Sequence, residues 1–227
     1  MGDAVLGTIA SLVVSALVAG LAFSLTNTAS DDTDTIPLWA VALLQLPLWA
    51  TLLGVAWRAT SQKGSGSFRE DFGLRFERGD ALIGVPIGLA AQFAIAAVLY
   101  ALDAWFGVDT SNVGKVAENL TDRAHGAVGV AALALVVVVV APVVEELFYR
   151  GLWLRSASRR LGPAGGIVVS SIVFGVIHFQ PVDTLALVGF GLVAAWLAAR
   201  YGRLGPAVWA HVGFNLTAVI SLLLVAS

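Results

Sequence analysis

Seven apolar runs, at approximately 4–25, 38–57, 81–102, 127–149, 164–180, 183–200 and 206–226, leave the backbone of this chain few options. Each is long enough to cross about 30 Å of hydrocarbon at about 1.5 Å per helical residue. Hydrocarbon offers no partner to a peptide N–H or C=O, so a spanning segment must satisfy its own groups, as a helix does. The expectation is an all-α fold: a polytopic transmembrane helical bundle of about seven spans, one integral membrane domain over residues 1–227 with no room for a soluble domain between the runs. Composition agrees, with 58% hydrophobic and only 12% charged residues, against roughly 25% charged in an ordinary soluble domain.

Charge sets the orientation. Short loops rich in Lys and Arg stay in the cytoplasm. With the N-terminus cytoplasmic, eleven of the thirteen basic residues fall on that side: Arg58, Lys63, Arg69, Arg75 and Arg78, then Arg150, Arg155, Arg159 and Arg160, then Arg200 and Arg203. The outer loops hold Asp31, Asp32 and Asp34, and later Asp103, Asp109, Glu118 and Asp122 beside Lys115 and Arg123. Trp39 and Trp57 bracket the second run as interfacial anchors. The first run carries Asp3 where a signal peptide would carry basic residues, so it reads as an uncleaved span. Residues 60–80 read as a flexible linker followed by an interfacial amphipathic segment bearing Phe68, Phe72, Leu74 and Phe76. Absence of cysteine excludes disulfides, thiolate metal ligands and a cysteine nucleophile. No basic patch suggests a nucleic-acid partner.

Strongly polar residues deep in the runs are few: Gln45, Gln92, Glu145, Glu146, His178, His211 and Asn215. A carboxylate in hydrocarbon costs roughly 2.5 kcal/mol or more, so two adjacent ones mark a functional site by default. Glu145 and Glu146 point about 100° apart around a helix. Glu146 and Arg150 form an i, i+4 pair in the favourable order, which makes Glu146 mainly a partner of Arg150 and leaves Glu145 as the free base. His211 and Asn215 share one helix face, and Phe174 and His178 have the same spacing, so the ring would pack beside the imidazole. Pro142, three residues before Glu145, should kink the fourth helix and free a carbonyl. A low-dielectric cavity makes a carboxylate a better proton acceptor. Two imidazoles and a carboxamide can assist it and hydrogen-bond an oxyanion. Such a set suits hydrolysis of a carbonyl compound by water. Ser170 and Ser171, in a small-residue packing run with Gly175, lack a nucleophile's context, and Gly84 with Gly88 is a second close-packing pair.

Three motifs now stand in order: Glu145-Glu146-x-x-x-Arg150, Phe174-x-x-x-His178 and His211-x-x-x-Asn215. Together they resemble the CPBP intramembrane proteases, the group containing the CAAX prenyl endopeptidase (Ras-converting enzyme) and proteins like lysostaphin resistance protein A. The resemblance covers roughly 140–220, places the catalytic helices at 127–226 and leaves 1–120 unmatched. It implies that Glu145 activates water, His178 assists it, and His211 and Asn215 form the oxyanion hole. The candidate catalytic set is therefore Glu145, Glu146, His178, His211 and Asn215, with Arg150 and Phe174 supporting. It implies no obligatory metal; the alternative is zinc held by Glu145, His178 and His211, although the helical His-Glu-x-x-His frame is absent.

The partners implied are a peptide or lipidated protein in the bilayer, and the place a bacterial plasma membrane with the site open to the cytoplasm. Two other readings use the same residues: a small proton- or ion-coupled transporter, which would ordinarily show a repeat of spans that is missing here, and a non-catalytic interaction protein in which the polar side chains are interhelical glue. Depth sets a condition on all of them. A fourth helix ending at Arg150 would leave Glu145 about 7 Å from the cytoplasmic end and His178 about 22 Å deep. The two meet only if that helix continues to about Ser158, with the interface at Arg155, Arg159 and Arg160 and with Arg150 buried. Each of the repeated segments Arg160-Leu-Gly-Pro-Ala164 and Arg203-Leu-Gly-Pro-Ala207 reads as a Gly that closes a turn and a Pro that opens a helix.

Overall fold

A computed structural model describes residues 1–26 and 38–225; Asp31, Asp32 and Asp34 lie outside the described residues. Every regular element among the described residues is helical. In chain order these are α1 (Gly2–Thr26), α2 (Leu38–Lys63), the short α3 (Phe68–Asp71), α4 (Asp80–Phe106) and the short α5 (Lys115–Asp122). A long rod follows, made of α6 (Gly126–Ala134), a π-helical stretch Leu135–Val140, α7 (Ala141–Glu146), a second π-helical stretch Leu147–Leu154, and α8 (Arg155–Val176). α9 (Thr184–Tyr201) and α10 (Gly205–Val225) complete the chain.

Six described helices are long and apolar enough to cross a membrane, the rod Gly126–Val176 among them as a single 51-residue unit. That rod is two limbs. Gly162 has φ 75° and ψ 170°, a conformation open to glycine, and Pro163 restarts the helix behind it. The two limbs are the expected fourth and fifth spans, so the molecule is a polytopic helical bundle of about seven spans. The first limb runs on past Ser158 to the break, as the depth condition requires. The second limb stops at Val176 rather than near residue 180. There the side chain of His178 takes the Phe174 carbonyl at 2.6 Å, and Phe179 turns the chain with φ 52°.

Arg150 is fully buried in the bundle, as the longer fourth helix requires and in place of the cytoplasmic loop to which the charge count had assigned it. The segment after α2 also differs from expectation. Phe72 is buried at 6% exposure against the core rather than lying in the interface, and it sits where a Cβ on Gly151 would come within 2.9 Å of it; Phe76, at 51% exposed, keeps the interfacial position. Of the two Gly-Pro repeats, only the first is conformational. α9 ends at Gly202, with φ 65°, and Gly205 is the first residue of α10, kept small by the Arg75 carbonyl 2.9 Å from where its Cβ would stand.

The start of α10 is pinned by Asp80, which is completely buried and accepts from Arg203 Nη2 at 2.7 Å and Nε at 3.2 Å. Those hydrogen bonds push the Arg203 guanidinium further above its ordinary pKa. α4 then lies close along α10, where a Cβ on Gly84 would meet the Pro206 carbonyl at 2.5 Å. Gly175 and Gly191 give the second limb and α9 the same intimacy, at Val188 and Ser171 respectively. α1 rests on α2 at the periphery and keeps Leu6, Ile9 and Leu17 more than half exposed, as a lipid-facing helix would. Phe148, Phe174 and Phe190 fill the centre with 1% exposure each. Glu146 and Arg150 lie among them at 0%.

Candidate active site

The glutamate pair closes α7, between the two π-helical stretches. Single π turns inside α-helices recur at functional sites because they re-aim side chains. Here the sequence supplies a cause. The Ala141 N–H bonds to the Val136 carbonyl, a step of five residues. In that register residue 142 would serve the Val137 carbonyl, and Pro142 has no N–H to give. Asn215 supplies the donor from α10: its Nδ2 reaches the Val137 oxygen at 2.9 Å. The freed carbonyl expected from Pro142 is therefore Val137, and its replacement partner is a residue of the candidate site.

Glu146 faces inward and is fully shielded. Its Oε1 stands 2.9 Å from Arg150 Nη1 and 2.9 Å from His211 Nδ1. A buried charge is tolerated where it is paired, and removal of its partner is severely destabilising. Arg150 is itself held twice more, by a 3.3 Å hydrogen bond from Nη2 to the Gly191 carbonyl and by the Phe174 ring 4.3 Å from its Cζ. Even so, Glu146 Oε2 and Arg150 Nε have no hydrogen-bond partner among the described residues, and Arg150 Nη1 meets Glu146 as an ion pair only.

Glu145, one residue earlier, keeps 17% of its side chain accessible. Its Oε2 lies 3.9 Å from His211 Nε2. His211 therefore stands between the two carboxylates, bonded to one and facing the other. A carboxylate accepts hydrogen bonds, so the Nδ1 that faces Glu146 carries the proton and a neutral His211 leaves Nε2 as an acceptor. His178 repeats the pattern: its Nδ1 faces the Phe174 carbonyl at 2.6 Å, which likewise assigns the proton to Nδ1.

Phe174 is the hub of the arrangement. Its ring centroid lies 4.8 Å from that of His178 and 5.8 Å from that of His211, and Tyr149 meets it edge-on at 5.3 Å. Phe190 closes the other side of His211 at 4.7 Å. Depth fits this meeting, because Glu145 and His178 stand about equally far along the two limbs from the break at Gly162.

Of the residues singled out from the sequence, Glu145, Glu146 and Arg150 from the rod meet His211 from α10 and Phe174 from the second limb, His178 joins them through the Phe174 ring, and Asn215 of α10 holds the Val137 carbonyl about two turns before the glutamates. Gln45 is exposed and does not join them. Ser170 and Ser171 are fully buried with their hydroxyls on the Ile167 carbonyl, which fits packing and not nucleophilic attack. His125 is exposed, before α6. Among the described residues no group of three or more His, Cys, Asp or Glu is gathered as a metal ion would need. Tyr149, Phe190 and Gly191 were not legible as site residues. Their spacing is that of any apolar helix, and only packing reveals that they enclose His211 and Arg150.

Residues 127–217 match the family model described as "Type II CAAX prenyl endopeptidase Rce1-like". A protein of Bacillus subtilis (strain 168) named "Putative membrane peptidase YdiL" is 27% identical over 140 residues, which is 59% of this chain and 57% of that relative. The chain therefore aligns with little more than half the length of the curated relative it matches. No solved structure matches. Both findings support the family resemblance carried by the three motifs, and the matched segment contains every residue of the site.

Proposed function

We propose that this chain is an intramembrane endopeptidase in which Glu145 takes a proton from water and the resulting hydroxide attacks a peptide carbonyl. The observation that carries the reading is the placement of His211, with Nδ1 on Glu146 at 2.9 Å and Nε2 facing Glu145 at 3.9 Å. The second distance is too long for a direct hydrogen bond and short enough for one water to touch both atoms. Glu145 has the accessible carboxylate that a general base requires, while Glu146 is committed to Arg150 and sets the tautomer of His211. Glu146 Oε2 and Arg150 Nε, buried without a protein partner among the described residues, favour a polar guest such as water in an otherwise apolar bundle.

The steps balance simply. Water oxygen bonds to the carbonyl carbon as its proton passes to Glu145. Negative charge collects on the former carbonyl oxygen, where the second N–H of the Asn215 carboxamide can donate, joined by His211 Nε2 in the imidazolium form, which takes its second proton from solvent before the peptide binds. The intermediate collapses as the C–N bond breaks, and the amine leaves with the proton held by Glu145. His178, held with Nε2 as its free acceptor, orients the water. No step is routed through a metal, and none is obligatory in this scheme.

The substrate is a membrane-associated peptide or a prenylated, CAAX-type protein tail, taken from the cytoplasmic side of a bacterial plasma membrane. The orientation rests on the basic loops. The test is cleavage of a quenched fluorogenic prenylated CAAX peptide by the detergent-purified chain, wild type against Glu145→Ala, with and without a zinc chelator. Loss of a general base should cost roughly 10²–10⁴-fold, with the thermal midpoint unchanged and the wild-type rate indifferent to the chelator. A Glu145→Ala variant that cleaves at the wild-type rate sinks the base assignment, and a rate abolished by the chelator sinks the metal-free scheme.

A further inference from the structure

The basic end of the bundle holds a second feature, away from the glutamates. A cavity of about 440 Å³ opens between the rod, the end of α2, the start of α1 and α3. Four cationic side chains line it, Lys63, Arg155, Arg159 and Arg160, against two acidic ones, Asp3 and Asp71. Both acids are already engaged: Asp3 is bridged by Lys63 at 2.7 Å, and Asp71 accepts the Ser65 N–H at 2.9 Å. Arg155 is fixed by its hydrogen bond to the Gly202 carbonyl at 3.1 Å. Arg159 and Arg160 are exposed and have no carboxylate partner among the described residues.

The charge excess is built by the helix. Arg155 and Arg159 stand one turn apart, and Arg160 flanks them on the same side, so one face of the rod presents three guanidiniums to one cavity. Phe72 and Leu152 provide an apolar floor. Leu6 and Ile9 of α1 are 65% and 54% exposed and run from the cavity mouth along the lipid-facing side. Trp57, 62% exposed, marks the interface on α2 at the same end.

A cationic rim, an apolar floor and an adjoining apolar wall at interface height match one ligand chemistry: a phosphate ester joined to acyl chains. We propose that this cavity seats the phosphate of an anionic phospholipid, with Arg159 and Arg160 as its principal contacts and the acyl chains lying on α1. Basic pockets between helices are suited to such headgroups, because each Lys or Arg near the surface adds to the attraction for anionic lipid. The volume also falls within the range of small-ligand sites, about 300–1,000 Å³.

The experiment is native mass spectrometry of the full purified chain, titrated with phosphatidylglycerol or with phosphatidylcholine. Wild type should retain the anionic lipid in preference. Arg159→Gln with Arg160→Gln should cut that retention roughly thirtyfold. The Arg159→Lys, Arg160→Lys variant should keep most of it, as should Arg75→Gln with Arg78→Gln, which removes two charges from the same side of the molecule outside the cavity. Circular dichroism on each variant confirms that helix content is retained. Equal retention by wild type and the Gln pair overturns the proposal. So does an equal loss in the Arg75, Arg78 control, which would make the effect general surface charge. Displacement of the lipid by millimolar glycerol 1-phosphate would assign the site to a soluble phosphate ester and overturn the lipid assignment.

Discussion

Replacement of Asn215 by Ala should cost stability only because Pro142 is a proline. The Asn215 Nδ2 donates to the Val137 carbonyl at 2.9 Å, the acceptor that residue 142 would serve in the five-residue register set by Ala141 and Val136. Truncation leaves that carbonyl without a partner inside the bundle, a loss of about 1–3 kcal/mol on general grounds. Side-chain hydrogen bonds in membrane bundles average nearer 0.6 kcal/mol with a maximum near 1.7, so an effect of about 1–1.5 kcal/mol is expected here. Pro142→Ala restores a main-chain N–H. If the π turn persists, Ala at 142 serves Val137 directly; if the turn tightens to α, the Ala141 N–H does so. Either way Asn215→Ala should cost almost nothing in the Pro142→Ala background, giving a coupling of about 1 kcal/mol in a four-protein cycle. The assay is reversible unfolding in mixed micelles. Equal losses in the two backgrounds would refute the backbone-donor role. Peptidase rates on the same four proteins separate the other role proposed for this residue. If its second N–H binds the oxyanion, the double variant stays about 10²–10³-fold slow although its stability is recovered.

Two further substitutions test the frame around the glutamates. Arg150→Leu strands Glu146 in the core and should destabilise by about 3–5 kcal/mol, read as a fall in the thermal midpoint. Combining it with Glu146→Leu should recover most of that stability without recovering activity. Gly88→Ala would drive a Cβ into the Ala210 carbonyl and within 2.8 Å of the Phe214 nitrogen, so α4 and α10 must part. Overpacking of this kind costs about 1–3 kcal/mol and should shift His211 and lower the rate, whereas Gly54→Ala, with open space around it, should be neutral or slightly stabilising.

What the sequence revealed depended on how local each cause was. Span positions follow from apolar run length, and the near-equality of Glu145 and His178 in depth could be demanded from arithmetic along one strand of chain. The break at Gly162 was visible because Gly-Pro punctuation acts on adjacent residues. The same five letters around Gly205 meant something else, since there the glycine answers to Arg75, more than a hundred residues away. Phe72 was misplaced for a similar reason. Its burial depends on the absence of a side chain at Gly151, and no periodicity within residues 60–80 carries that information. Glu146 was matched to Arg150 because both lie on one helix, while its bond to His211 required knowing that α10 starts deep in the bundle, a depth set by the Asp80–Arg203 clasp.

These dependencies bear on why two adjacent carboxylates can take different duties. Neighbours on a helix differ by about 100°, so one side chain meets the core while the other meets whatever lies beside it. Glu146 meets Arg150, whose own position is held by Phe174 and by the Gly191 carbonyl of α9. It also meets His211, brought by α10. Three helical segments must therefore be in place before that charge is tolerable. Glu145 has no such commitment and keeps its accessible edge toward His211 Nε2. The ion pair with Arg150 and the His211 Nδ1 bond fix Glu146, and the Asn215 prop holds Val137 about two turns earlier on the same limb, so the interactions that make burial of Glu146 affordable also aim its neighbour Glu145.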